Sequence, residues 1–346
     1  MRIAREDLTV LFNRFLDRGE SEITVSHPSD EIGDLLTIEF GDYDDCTIHF
    51  NQSVEEYAEA RNEVRRNHPE SVAKDLPAAD DYVKAVLASG IIEINNRDEV
   101  QKLVERYGNP DLMAGHRPVF AGFDTNLLPW RIDRILGLRD PEEGVGYVNG
   151  FVLASGVRDE LDWDYKCHDT DPFVDAFGDQ YEEYWNQPLG EARHGRMGLV
   201  RYRNIRDIQQ ADEIDCDTGD EAIVEGYDEY EEEHRGEILL FSNDRTFVER
   251  ARSHTILAQW IELPQTLPEQ RSASWKEVEH LLHMLAISFG NLEVPSVTIF
   301  GIWRGKDELD WRRERLKLDA RTASLASHLK GDLSIVETYN ELQMER

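Results

Sequence analysis

Cysteine is scarce in this chain: Cys46, Cys167 and Cys216 are the three among 346 residues, far apart and in no C-x-x-C spacing. That excludes a disulfide framework and a zinc ribbon. No stretch approaches the roughly 18 consecutive apolar residues of a membrane-spanning helix. The opening segment MRIAREDLTVLFNRF is amphipathic and contains acid, and it lacks the apolar centre and small-residue cleavage site of a secretory signal. No G-x-x-x-x-G-K-[ST] phosphate loop occurs. Lysine is scarce as well, since 8 of the 38 basic residues are Lys and the rest Arg. The expectation from these absences is a soluble protein of a reducing cytoplasm, with no membrane partner.

Acid is present in excess. Asp and Glu number 71, giving a net charge of −33 spread along the whole chain. Such a coat keeps a protein soluble where concentrated salt screens its self-repulsion, because the Debye length falls to about 3 Å at 1 M. The composition resembles that of salt-adapted, halophilic archaeal proteins. Hydrophobic residues at 40% and aromatics at 9% still suffice for ordinary cores, and the overall balance carries no basic signature of nucleic-acid binding.

The pattern suggests three α/β parts, 1–112, 113–265 and 266–346. In the first, LLTIEF and CTIHF alternate with period two around the turn-rich GDYDD and read as a hairpin. Ser53 and Glu56 form a capping box opening a helix. A helix around Asp80 to Leu87, a short strand IIEIN and the helix DEVQKLVERYG follow, stopped by Gly108-Asn109-Pro110. In the middle part, PVFAGFD reads as a buried strand and TNLLPWRIDRILGL as a turn and helix. YVNGFVLA is a second apolar run, after which Ser155 can cap a helix carrying VRDELDWDYK. A polar insertion at about 169–217 has no clear assignment. Then DEAIVEGYDEYEEEH, EILLFSND, RTFVERARSH and TILAQWIEL read as helix, strand, helix and strand. This alternation argues a central parallel sheet covered by helices. In the last part Ser274 and Glu277 cap the helix WKEVEHLLHMLAISFG, VTIFGIWRG reads as a strand, and a long Arg-rich helix is expected from Asp307.

Functional groups of an open parallel sheet collect at the carboxyl ends of its strands. Asp124 follows PVFAGF and Asp244 follows EILLFSN. Asp220 would open the helix leading into that second strand, and Glu160 lies in the helix after YVNGFVLA. Four carboxylates on one rim repel one another unless a cation joins them, and a hard divalent ion takes oxygen ligands. Asp124-Thr125-Asn126 after an apolar strand, Glu160 in V-x-x-E-L, Asp220 in D-x-x-I, and Ser242-Asn243-Asp244 followed by Phe247 and Ala251 resemble the PIN-domain ribonucleases. The resemblance covers about 118–264. It implies a PIN-like fold and a Mg or Mn site in which Asp124, Glu160, Asp220 and Asp244 are both ligands and catalytic residues, cutting RNA to leave a 5′-phosphate. Thr125, Asn126, Ser242 and Asn243 would then contact the site or substrate. Glu221, Asp217 and Asp228 compete for the place of Asp220, and the span from Glu160 to Asp220 is longer than the compact family form.

Each residue also has a plainer reading, because Asp, Thr and Asn cap turns and helices whatever the function. A phosphatase of the haloacid-dehalogenase type would need D-x-D-x-T, and Asn126 stands where its second Asp belongs. His280 and His283, one helical turn apart, read as a surface pair rather than zinc ligands. Arginines 193, 196, 201, 203 and 206 with Tyr202, and the tail residues Trp311, Arg312, Arg313, Arg315 and Lys317, could meet nucleic acid, Arg on phosphate and aromatics on bases. The sequence thus points to a metal-dependent ribonuclease acting on RNA or single-stranded nucleic acid, with Arg201 and Arg203 on phosphate. The alternative is a non-catalytic PIN-like scaffold that binds a protein partner through its flanking domains.

Overall fold

The computed structural model describes residues 1–41, 44–108, 110–139, 146–162 and 166–344. The chain forms two compact units, one of Met1–Ile92, Tyr165–Glu191 and Gln265–Arg346, the other of Glu93–Asp164 and Ala192–Pro264. The first unit begins with β1 (Arg2–Ile3), α1 (Leu8–Asp17), β2 (Glu22–Ser26), β3 (Asp34–Phe40), β4 (Asp45–Phe50), α2 (Val54–Asn67), α3 (Glu70–Asp75) and α4 (Ala79–Ser89). The second unit takes α5 (Arg97–Tyr107), β5 (Val119–Phe123), α6 (Ile132–Ile135), β6 (Gly150–Ala154) and α7 (Ser155–Leu161). After α8 (Asp171–Phe177) in the first unit, the second resumes with α9 (Glu191–Ile208), β7 (Asp212–Ile214), α10 (Asp220–His234), β8 (Glu237–Ser242), α11 (Arg245–Ser253) and β9 (Leu257–Trp260). The first unit closes with β10 (Gln270–Ser274), α12 (Trp275–Phe289), β11 (Asn291–Val294), β12 (Val297–Phe300), α13 (Glu308–Arg312), β13 (Leu316–Ala320) and α14 (Ala323–Met344).

The first unit is built on an antiparallel sheet in the order β1-β13-β12-β11-β2-β3-β4-β10. The expected hairpin is β3–β4, with Ile38 opposite Ile48. Ser53 and Glu56, and Ser274 and Glu277, make the capping boxes read from sequence. α12 packs against this sheet and against α4, so every residue from Val278 to Phe289 is buried; an apolar helix covered on both sides keeps no solvent face. His280 and His283 are therefore core residues, 1% and 3% exposed, which corrects the surface-pair reading. Gly301 lies so close to α12 that a Cβ there would stand 2.1 Å from the Ala286 carbonyl oxygen. Two further expectations fail. IIEIN is not a strand, its apolar residues being buried without a ladder partner. The helix from Asp307 ends at Arg312 because LKLDA, alternating buried and exposed, pairs with β12 as β13.

The second unit carries a five-stranded sheet in the order β7-β6-β5-β8-β9, parallel throughout and flanked by helices. The chain is thus α/β. Parallel strands are covered on both faces, and accordingly β6 is buried at every position and β8 at all but its first. From central β5 the chain adds β6 and β7 on one side and returns to add β8 and β9 on the other. This reversal makes a topological switch point between β5 and β8, the place at which open α/β sheets bind ligands at the carboxyl ends of their strands. The polar stretch 169–217 holds α8, α9 and β7; the Arg-rich sequence of α9 hid its buried face of Ala192, Met197, Leu199, Tyr202 and Ile205. No described helix is long and apolar enough to cross a membrane.

Candidate functional site

Asp124 is the first residue beyond β5. Its amide still donates to the Phe241 carbonyl at 3.0 Å, continuing the ladder with β8 and fixing the carboxylate at the strand end. The residue is 4% exposed. Ser242 Oγ donates to Asp124 Oδ2 at 2.6 Å, and Asn126 Nδ2 reaches the same oxygen at 3.5 Å. Burial pushes the Asp124 carboxyl up to about 6; the hydrogen bonds from Ser242 and the Thr125 amide oppose the rise, and the charges of Asp220 and Glu160 add to it.

Glu160 bridges two loops of this rim. One of its carboxylate oxygens accepts from Thr125 Oγ1 in the turn after β5. The other accepts from the Gly219 amide at 2.9 Å, immediately before Asp220 opens α10. The loop ahead of α10 is docked on the start of α7 by two small residues. The Ser155 hydroxyl accepts from the Cys216 amide at 3.0 Å. A Cβ on Gly156 would stand 2.3 Å from the Asp217 carbonyl oxygen, so only glycine permits that approach. Sequence reading gave Ser155 the role of a helix cap, but the cap position is Ala154 and Ser155 pins the loop instead. The signal available was a Ser-Gly pair directly after a buried strand.

Asp124, Glu160 and Asp220 are thus brought together. Asp244 is joined through its backbone to Ser242, its amide donating to Ser242 Oγ at 2.9 Å, while its carboxylate caps α11 by accepting from the Thr246 amide at 2.7 Å. Of the competitors for the Asp220 position, Asp228 is engaged with His254 at 2.9 Å. Among the described residues no three Asp, Glu, His or Cys side chains stand close enough to grip a metal ion as they lie. The donor set at the rim consists of carboxylate and hydroxyl oxygens, the chemistry a hard cation takes.

The expected substrate contacts separate into different roles. Thr125 is occupied with Glu160. Ser242 is fully buried and positions Asp124. Asn243 is half-buried, and its carbonyl accepts from Trp260 Nε1 at 3.1 Å. Arg201 holds the buried Asp133 with two guanidinium nitrogens, one at 2.9 Å, and Arg203 is half-buried on the same helix. Arg206 pairs with Asp207 at 2.9 Å and Glu213 at 3.5 Å. In the tail Trp311 is buried, Arg315 pairs with Asp310, and Lys317 pairs with Glu183. Much of the basic surface is therefore spent on internal acid. Neither a family model, nor a curated relative, nor a solved structure matches this chain.

Proposed function

We propose that the second unit is a PIN-like, metal-dependent nuclease acting on RNA or single-stranded nucleic acid. The observation carrying the reading is the convergence of Asp124, Glu160 and Asp220, from three separate elements, at the switch point of a parallel sheet. Burying a carboxylate beside two others costs stability unless a cation joins them, and carboxylates perturbed in this way cluster at functional sites. Asp124, Glu160 and Asp220 would hold Mg or Mn, and Asp244 could join by leaving its cap. A bound ion of this kind lowers the pKa of a water for in-line attack and neutralises charge on phosphoryl oxygens. Ser242 holds the Asp124 carboxylate in place, and Thr125 and Gly219 do the same for the two oxygens of Glu160.

The test is degradation of a mixed RNA pool in concentrated KCl with Mn²⁺, Mg²⁺ or chelator, using the unmodified chain and Asp124→Asn. Cleavage that needs metal and Asp124, leaving 5′-phosphates, is expected. Full cleavage by a folded Asp124→Asn protein overturns the reading. The capping engagement of Asp244 favours a second reading, a non-catalytic scaffold of the same fold, which predicts no metal-dependent cleavage by any variant.

A further inference from the structure

Trp260 ends β9, the edge strand on the β8 side of the sheet. In the ladder it stands opposite Ser242, whose hydroxyl holds Asp124. Since β5, β8 and β9 are consecutive strands spaced about 4.8 Å apart, the Trp260 backbone lies about 10 Å along the rim from that of Asp124. The indole is fixed by its Nε1–H, which donates to the Asn243 carbonyl at 3.1 Å. Its backbone is fixed by Asn96, whose Nδ2 donates to the Trp260 carbonyl at 2.8 Å. Arg245, the first residue of α11, places its guanidinium carbon 3.9 Å from the centre of the Trp260 ring.

Cation–π contacts of Lys or Arg occur about once in 70–80 residues, so the contact alone carries little. Its surroundings carry more. Arg245 is exposed in a chain with 71 acids, directly after Asp244, whose carboxylate is turned to the Thr246 amide. Arg158, Arg201, Arg206 and Arg315 all sit on carboxylates; Arg245 lies on an indole instead. A guanidinium stacked in this way keeps N–H donors in its plane for a phosphate, and both the indole and the guanidinium offer a flat surface to an unpaired base.

We infer that Arg245 and Trp260 form a subsite for a nucleotide flanking the scissile one, with the base stacked on the Arg–Trp pair and the guanidinium edge on its phosphate. The subsite rests on the nuclease reading of the same rim and names its substrate as single-stranded, because a base within a duplex has no free face to stack.

The experiment is fluorescence anisotropy of a fluorescein-labelled dodecauridylate with the full chain, in EDTA, at the lowest KCl concentration at which circular dichroism shows the fold intact. Arg245→Ala and Trp260→Leu should each weaken binding by about 5- to 150-fold, the range expected for one lost stacking contact. Trp260→Phe should stay within a few-fold, because it keeps a ring. Arg245 is exposed, so its replacement tests the subsite even if Trp260→Leu fails to fold. Affinity unchanged in Arg245→Ala overturns the inference, as does a folded Trp260→Leu that binds as the unmodified chain does, or an unmodified chain that does not bind the oligonucleotide. The nuclease reading fails separately: oligonucleotide binding that depends on Arg245, with no Mn²⁺-dependent cleavage by the unmodified chain, leaves the subsite and removes the catalysis.

Discussion

Neutralising Asp124 should stabilise the metal-free protein. Raising a carboxyl from its ordinary 3.8 to about 6 penalises the ionised form by about 3 kcal/mol. The folded state then binds more protons than the unfolded state between pH 4 and pH 6, so stability falls as pH rises through that window and stays reduced above it. Asp124→Asn removes the charge and keeps the shape. Its amide oxygen can still accept from Ser242 Oγ, while its NH₂ can face the acids of Glu160 and Asp220. In EDTA at pH 7.5 the variant should gain up to about 3 kcal/mol over the unmodified chain, and the gain should shrink towards zero by pH 4. Urea unfolding followed by circular dichroism at fixed KCl measures both values. Adding Mn²⁺ should reverse the order, stabilising the unmodified chain and leaving the variant where it was. Equal stability of the two proteins at pH 7.5, or a difference that does not change between pH 4 and 7.5, would refute the electrostatic argument.

Three other perturbations test separate parts of the account. Gly156→Val drives a side chain into the Asp217 carbonyl and should cost about 1–3 kcal/mol while lowering Mn²⁺ affinity in calorimetry, because the loop leading to Asp220 must move; unchanged affinity counts against the docking role. Arg201→Ala leaves Asp133 buried without this partner and should cost about 3–5 kcal/mol in urea unfolding; a loss of RNA affinity without loss of stability would return Arg201 to the phosphate role read from sequence. Lys306, fully enclosed with its ammonium on the carbonyls of Gly301 and Arg315 and over Trp303 and Trp311, is lowered by burial to about 7. The unfolded chain therefore binds more protons between pH 7 and pH 10.5. The contribution of Lys306 to stability, read as the difference between the unmodified chain and Lys306→Met, should rise across that window by as much as about 5 kcal/mol; a difference that does not change with pH refutes the assignment.

The sequence was most informative where one physical demand dominated. β5, β6 and β8 had to be apolar because both faces are covered, and that run identified them as strands of a parallel sheet. The capping boxes at Ser53 and Ser274 were legible because each needs only a hydroxyl and a Glu three residues on. Where two demands competed, the pattern misled. IIEIN is apolar because its three isoleucines are buried, yet among the described residues it pairs with no strand. His280 and His283 read as surface residues because histidine is polar, and their burial follows from α4 and the sheet lying on two sides of α12, a tertiary fact absent from local spacing. At the rim, a strand end marked Asp124 and a helix start marked Asp220 as candidates, while Glu160 lies in the last turn of α7 and was singled out by the V-x-x-E-L resemblance. The supporting groups escaped because Ser155, Gly156 and Gly219 act through backbone atoms far away in sequence.

Asp244 is the residue at which cap and ligand make opposite demands on one carboxylate, and two substitutions separate them. Asn and Asp cap helices about equally, so Asp244→Asn should keep the bond to the Thr246 amide and leave stability within about 0.5 kcal/mol. Asp244→Ala loses the cap and should cost about 1 kcal/mol, with α11 loosened at its first turn. If Asp244 only caps, cleavage at saturating Mn²⁺ follows stability: normal in the Asn variant, and normal in the Ala variant as long as it stays folded. If Asp244 leaves the cap to join Asp124, Glu160 and Asp220, both variants lose cleavage alike, and the Asn variant loses it with its helix intact. A further signature belongs to the second case alone. Because the carboxylate must break its bond to the Thr246 amide to reach the ion, Mn²⁺ should speed hydrogen exchange at that amide in the unmodified chain and leave it unchanged in Asp244→Asn. Slow exchange at Thr246 with and without Mn²⁺, together with full cleavage by Asp244→Asn, would remove Asp244 from the metal centre and confine the acid cluster to the three carboxylates already gathered at the switch point.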